Sequence, residues 1–276
     1  MKEVELQLNH KYSSFELSYW PDLFDTAECK VTRKQDGRYY LTACRLEKLI
    51  DDNEVLESAE RLKTMMRAIA KIQLGIDIEN LDPDDVATMS YQERLGDTLS
   101  THVRLGKPPS AVGRAYTPKV EIIDEYHNGT SETREEHWYD YLLNQCDDRI
   151  DNTIIFEALS HFAVKNEPRT LRLTYETMLK YAGGKDRKDR LRKITGVTED
   201  ELSYFTRSLN HPDMEGQELH IKEPNSQNNF VPMSLAKATK CGGRRLLKPW
   251  LLKKQELLRL TDGNAQAKHL QNVLGL

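Results

Sequence analysis

The chain has 276 residues, of which 38% are hydrophobic and 30% are charged, and its formal net charge is -4. This composition is typical of one large or two modest folded domains, and it excludes a disordered or fibrous protein. No apolar run approaches the length of a membrane span, the N-terminus lacks a signal pattern, and the four cysteines are scattered without a C-x-x-C pair. We therefore do not expect a membrane protein or a secreted protein. We also do not expect a zinc knuckle or a disulfide framework.

Alternation of apolar and polar residues begins at the N-terminus. The run from Val4 to Tyr12 predicts a half-buried strand. Two further strands, 29–34 and 38–44, flank Asp36-Gly37, a dipeptide that suits a tight hairpin turn because both residues tolerate positive φ. Apolar residues at helical spacing from 53 to about 75 predict an amphipathic helix that packs on this sheet.

Two more alternating runs, 99–105 and 120–126, predict strands bounded by loops. The stretch 76–97 between the helix and these runs is too acidic and irregular to assign. Residues 1–130 are therefore predicted to form an α+β domain, an antiparallel sheet with one long helix.

From residue 131 onward the pattern is helical. Capping-box spacing at Thr133 and Glu136, and again at Thr198 and Glu201, marks two helix starts. Five helices are predicted, at 133–146, 155–162, 168–182, 186–195 and 198–209.

After a polar loop, a last helical stretch begins at Ser234. Gly242-Gly243 and Pro249 predict that it is broken into segments, with the glycine pair acting as a helix stop or hinge. Residues 131–276 are therefore predicted to form an all-helical domain.

Net charge is unevenly distributed along the chain. It is -6 for residues 1–130, -4 for 131–184 and +6 for 185–276. A basic final third on an acidic body suits contact with nucleic acid or an acidic partner. The candidate anion-binding residues form two clusters; they are Arg187, Lys188 and Arg190 in the first, and Lys237, Lys240, Arg244, Arg245, Lys248, Lys253 and Lys254 in the second.

The two clusters differ in the acidic residues around them. In the first, Asp186 and Asp189 each precede a cation by four residues, which favours pairing within a solvated surface helix. The second contains no acidic residue before Glu256, so its cations have more to gain from a polyanion. The alternative is a capping helix whose Trp250 and neighbouring leucines pack inward while its lysines stay hydrated.

Other sites are less well supported by the sequence. A helix-turn-helix can be drawn through 191–210, but its second helix would present Glu199, Asp200 and Glu201 to DNA. The acidic stretch 135–151 lacks the H-E-x-x-H spacing and is interpreted as a solvated face. We expect no metal and no cofactor, and no catalytic residue is assigned.

Segments at both ends carry a resemblance. Residues 205–212, 232–236 and Trp250-Leu251, together with 21–24 and 38–42, resemble a group of uncharacterised bacterial proteins. The resemblance implies a soluble bacterial protein built as an α+β part followed by helices, and it implies no activity. Leu219 stands immediately before His220 where an arginine would be expected, which argues against a catalytic pair there.

The leading hypothesis is a cytoplasmic, non-enzymatic protein whose basic C-terminal segment contacts nucleic acid or an acidic protein. One alternative is a hydrolase or nuclease of a bacterial defence system, with His211, Asp213 and His220 in the polar loop as candidate groups. Another is a subunit of a homo- or hetero-oligomeric assembly in which the Trp250 helix docks on a neighbour.

Overall fold

The computed structural model describes residues 3–8, 18–26, 29–35, 37–47, 52–74, 88–95, 98–105, 138–144, 150–164, 167–183, 186–211, 213–214 and 230–263. Its strands are β1 (Glu3–Leu8), β2 (Cys29–Arg33), β3 (Tyr39–Ala43), β4 (Thr88–Leu95) and β5 (Thr98–Leu105). Its α-helices are α1 (Trp20–Leu23), α2 (Cys44–Glu47), α3 (Asp52–Leu74), α4 (Asp140–Asn144), α5 (Ile150–Ala163), α6 (Pro168–Ala182), α7 (Arg187–Thr195), α8 (Glu199–Leu209), α9 (Leu235–Lys240) and α10 (Lys248–Gly263). A π-helix, Cys241–Leu247, joins α9 to α10. The predicted α+β fold, with a helical C-terminal part, is confirmed.

The five strands form one antiparallel sheet in the order β2-β3-β1-β4-β5. Strand β1 is central, because Glu5 lies opposite Thr42 of β3 on one side and Gln92 of β4 on the other. Strand β4 occupies part of the stretch that the sequence left unassigned, and its partner β5 confirms the alternating run at 99–105. The predicted strand at 120–126 lies outside the described residues.

The hairpin between β2 and β3 forms where Asp36-Gly37 predicted it, with a longer loop than a two-residue turn. The Lys34 N–H donates to the Arg38 carbonyl (2.9 Å), and the Gly37 N–H donates to the Lys34 carbonyl (2.9 Å). Three residues therefore lie between the hydrogen-bonded residues Lys34 and Arg38. Gly37 has a φ of 79°, the left-handed conformation that closes such a three-residue loop.

Aromatic side chains attach α1 and α4 to the unit that contains the sheet. Trp20 meets Phe24 edge to face (5.4 Å between ring centroids), and Phe24 meets Tyr139 in the same way (5.7 Å). The Tyr139 hydroxyl donates to the Leu23 carbonyl. The capping box predicted at Thr133 and Glu136 lies outside the described residues.

The chain divides into two compact units. Among the described elements, the strands with α1, α2 and α4 form one unit, and α3 with α5 to α10 forms the other. The structure thus groups α3 with the helices, whereas the sequence placed it on the sheet. The five consecutive residues 68–72 of α3 are buried, so this part of the helix is enclosed on all sides and not along one stripe. The predicted domain boundary near residue 130 lies outside the described residues.

Lys71 of α3 is only 2% exposed and joins α3 to α5. Its Nζ donates to the carbonyls of Phe162 (2.9 Å) and Val164 (3.0 Å), and it lies 4.8 Å from the centre of the Phe162 ring. Carbonyls at a helix C-terminus have no partner within the helix and carry partial negative charge, so they suit a buried ammonium group.

The remaining helix predictions for the C-terminal half agree with α5 to α8. Pro168 occupies the first turn of α6, Gly196 ends α7 in the left-handed conformation, and Thr198 caps α8 by accepting a hydrogen bond from the Glu201 N–H. None of the helices described is long and apolar enough to cross a bilayer.

Gly242 and Gly243 do not stop the helix, and this prediction is wrong. Lys240 and Lys248, which flank the π-helix, both keep right-handed helical backbone angles, so α9, the π-helix and α10 follow without a break. Both glycines are buried; a Cβ on Gly243 would lie 2.7 Å from Cζ of Phe162. The glycines therefore allow close helix packing. Pro249, which cannot donate to the preceding turn, is the second residue of α10, which begins where the π-helix ends.

Candidate nucleic-acid interface

Arg244, a member of the second cationic cluster, binds backbone groups of the protein itself. Its Nε donates to the Ile72 carbonyl (3.0 Å) and its Nη2 donates to the Gln73 carbonyl (2.5 Å). These carbonyls belong to the last turn of α3, where a cation is favoured by the helix dipole. We therefore assign Arg244 a structural role.

Two other cations of the second cluster have carboxylate partners. Arg245 Nη2 lies 3.0 Å from Oε1 of Glu201, and Lys253 Nζ lies 2.7 Å from Oε2 of Glu256. The scarcity of acidic residues in this segment predicted that its cations would lack carboxylate partners, and for these two the prediction is wrong. Lys254 is 7% exposed, with its ammonium 5.7 Å from the centre of the Trp250 ring.

The apolar residues of this segment pack inward, as the alternative interpretation of the sequence predicted. Leu246, Leu247, Trp250 and Leu251 are buried, and Trp250 is 0% exposed. Trp250 therefore belongs to the core of the helical unit, and docking of its helix on a neighbour stays a prediction. Lys248 is half-buried at the start of α10.

The first cluster lies on α7. Arg187 and Lys188 are exposed in its first turn, and Arg190 is half-buried. Asp189 pairs with Arg192 (3.1 Å), and not with the lysine four residues further on. These cations belong to a solvated helix, which is the interpretation that the sequence favoured.

The acidic start of α8 argues against DNA reading by the α7–α8 pair. Glu199 pairs with Arg192 (3.1 Å), and the Glu201 carboxylate accepts the Thr198 N–H (2.8 Å). The backbone hydrogen bond from Thr198, followed by the side-chain bond from Arg245, lowers the pKa of Glu201 below its usual value. Glu201 thus keeps its negative charge where a recognition helix would meet phosphates.

Lys237 is one of five residues that form a cation-rich aromatic surface. We define the aromatic–basic surface by Tyr204, Arg207, His211, Phe230 and Lys237. The first two lie on α8 and the third just past its end, at a spacing of three and four residues that places them on one helix face. Phe230 precedes α9, and Lys237 lies within it.

Contacts within this surface join cations to rings and rings to one another. The Arg207 guanidinium carbon lies 4.2 Å from the centre of the Phe230 ring, and Lys237 Nζ lies 5.8 Å from the centre of the Tyr204 ring. Phe230 also contacts Tyr204 and His211, with ring centroids 5.6 and 5.5 Å apart. Each ring therefore touches at least one other member of the surface.

Two hydrogen bonds hold the segment around Phe230 against α8. The Met233 N–H donates to the buried Ser208 hydroxyl oxygen (2.9 Å), and the Tyr204 hydroxyl donates to the Val231 carbonyl (3.1 Å). They fix the backbone on the C-terminal side of Phe230. Val231 itself is 74% exposed. The surface is thus built on a capped helix and a tethered segment.

Solvent reaches all five residues of the aromatic–basic surface. Arg207 and Lys237 are exposed, while the three rings are half-buried. Within the described part of the chain, no ion pair joins Arg207 or Lys237 to a carboxylate. These two cations therefore lack a carboxylate partner among the described residues, as the sequence predicted for the whole second cluster.

The structure brings together two of the three groups considered for catalysis. His211 Nδ1 lies 3.7 Å from an oxygen of Asp213 and accepts a hydrogen bond from the Asp213 N–H (3.3 Å). His220 lies outside the described residues. The His211–Asp213 contact is therefore a local turn contact at the edge of the aromatic–basic surface.

Comparison with protein-family models, with curated proteins and with solved structures gives no match to this chain.

Sequence reasoning singled out Lys237 and His211 and missed the other three members of the surface. The spacing of Tyr204, Arg207 and His211 behind the cap at Thr198 was a usable signal for one shared helix face. The sequence held no comparable signal for Phe230, because Phe230 is far along the chain from the α8 residues that it contacts.

Proposed function

We propose that this protein is a cytoplasmic, non-enzymatic nucleic-acid-binding protein that contacts its partner through the aromatic–basic surface. The observation that carries the proposal is the contact of two exposed cations, Arg207 and Lys237, with a set of three solvent-accessible rings. Cations that follow a phosphate backbone beside exposed aromatic rings are the usual means by which proteins hold nucleic acid.

The charge distribution of the chain supports the same proposal. The final third carries +6 on a chain whose net charge is -4. Arg187 and Lys188, which belong to this final third, are exposed in the first turn of α7 and contribute to its positive charge. An acidic protein would use the same cations, but it would gain little from Tyr204 and Phe230.

Removing the two cations of the surface tests the proposal. The double variant Arg207→Ala/Lys237→Ala is expected to bind a labelled oligonucleotide about tenfold more weakly at about 50 mM salt, because two phosphate contacts are lost. The slope of log affinity against log salt concentration should fall by about 1.4, since each phosphate contact contributes about 0.7 for a single strand. Fluorescence anisotropy measures both quantities.

A matched control removes the same charge elsewhere. Lys180 and Lys193 are exposed cations of α6 and α7 outside the surface, and Lys180→Ala/Lys193→Ala should change affinity much less. Equal losses in the two double variants, or no binding at low salt, would contradict the proposal. Competition by polyglutamate at the same charge concentration as the oligonucleotide would favour an acidic protein as the partner instead.

A further inference from the structure

We infer that the aromatic–basic surface stacks unpaired bases, so that the nucleic acid it binds is single-stranded RNA or DNA. This inference rests on the proposed function and specifies its ligand. The observation that supports it is that Phe230, at a solvent-accessible position, contacts Arg207, Tyr204 and His211.

Phosphate binding alone would not require this arrangement of rings. Tyr204 and Phe230 meet at an interplanar angle of 79°, and His211 and Phe230 at 47°, so the three rings face different directions. A base that stacks on one ring then lies beside the edge of a neighbouring ring, where the partial charge is favourable. The surface thus offers successive ring faces and not one flat apolar patch.

The cations complete the geometry for a single strand. The Arg207 guanidinium lies 4.2 Å from the centre of the Phe230 ring, and a planar guanidinium can stack on a ring while its N–H groups bind a phosphate. Lys237 lies beside the Tyr204 ring with its ammonium in solvent, where it can contact the backbone phosphate between two bases. In a duplex, the base faces are covered by neighbouring pairs and the rings would have no partner.

Comparison of normal and abasic strands separates base contacts from phosphate contacts. An oligonucleotide of about 12 nucleotides, within the site size of such surfaces, is compared with one of equal length in which the bases are removed but the phosphates are kept. The protein is expected to bind the normal strand about tenfold more tightly, in both RNA and DNA forms. If the normal strand binds more tightly than the abasic strand only in the RNA form, or only in the DNA form, that form is the ligand.

Substitution of Phe230 assigns this difference to the ring. Phe230→Leu keeps apolar volume but removes the ring, and it should lower affinity for the normal strand about tenfold while affinity for the abasic strand is unchanged. Phe230→Tyr keeps the ring and should retain the wild-type ratio. Duplex of the same length should bind with no dependence on residue 230.

The outcomes distinguish this inference from the proposed function. If the normal and abasic strands bind equally well, or if Phe230→Leu weakens both to the same extent, base stacking is wrong while phosphate binding stands. If neither strand nor duplex binds at low salt, the proposed function fails, and the inference fails with it.

Discussion

Replacement of Lys71 by methionine is expected to lower the free energy of unfolding of the helical unit by about 3 kcal/mol. Methionine keeps most of the apolar length of the side chain but cannot donate to the carbonyls of Phe162 and Val164. A hydrogen bond from a charged donor contributes about 1.5 to 3 kcal/mol, and two are lost. The loss is partly offset because a buried ammonium no longer has to be desolvated.

Chemical denaturation followed by far-UV circular dichroism measures this change. The control is Lys193→Met, which removes an exposed ammonium from α7 and should change stability by less than about 0.5 kcal/mol. If Lys71→Met were as stable as the wild type, the desolvation cost of the ammonium would cancel the contribution of its two hydrogen bonds. The contact between α3 and the end of α5 would then owe its stability to apolar packing alone.

Alanine at Gly243 is expected to destabilise the helical unit by about 2 kcal/mol through overpacking. The new Cβ would lie 2.7 Å from Cζ and 3.3 Å from Cε1 of Phe162. Phe162 is almost fully buried and cannot move away without disturbing its own neighbours. The gain of about 1 kcal/mol in helix propensity from glycine to alanine offsets only part of this cost.

Gly242 provides a neighbouring control. A Cβ there would meet Phe205 at 3.4 Å and Leu171 at 3.7 Å, which is close to ordinary van der Waals contact. Gly242→Ala should therefore be neutral or stabilising by up to about 1 kcal/mol. Thermal unfolding of the two variants in parallel measures the difference. A Gly243→Ala variant no less stable than Gly242→Ala would show that close packing is not why glycine is present at 243.

Local signals in the sequence predicted most of the secondary structure. The alternation of β1, the Asp36-Gly37 turn region and the capping box at Thr198 each act within a few residues, so they can be read along the chain. The length of the β2–β3 loop was missed because Gly37 also suits a three-residue loop. Strand β4 was missed because the acidic residues that precede it, between 77 and 85, left the whole stretch 76–97 without a clear alternation.

The failures at the candidate site share one physical cause, which is contact over long sequence separation. Arg245 has no acid nearby in sequence, yet it pairs with Glu201, 44 residues away. Arg244 reaches carbonyls about 170 residues away, which no charge count reveals. The same applies to Phe230, whose position over Arg207 depends on how the segment before α9 folds back on α8. Gly242-Gly243 was misread for a similar reason, because the Phe162 ring that leaves no room for a Cβ at Gly243 comes from α5.

Photo-crosslinking of the wild-type protein to single-stranded RNA carrying 4-thiouridine tests the central claim most directly. After trypsin digestion and mass spectrometry, crosslinks are expected on peptides 194–207 and 223–237, which contain Tyr204 and Phe230. Crosslinks confined to the strands of the sheet unit, or to the first turn of α7, would contradict the placement of the nucleic-acid interface on the aromatic–basic surface.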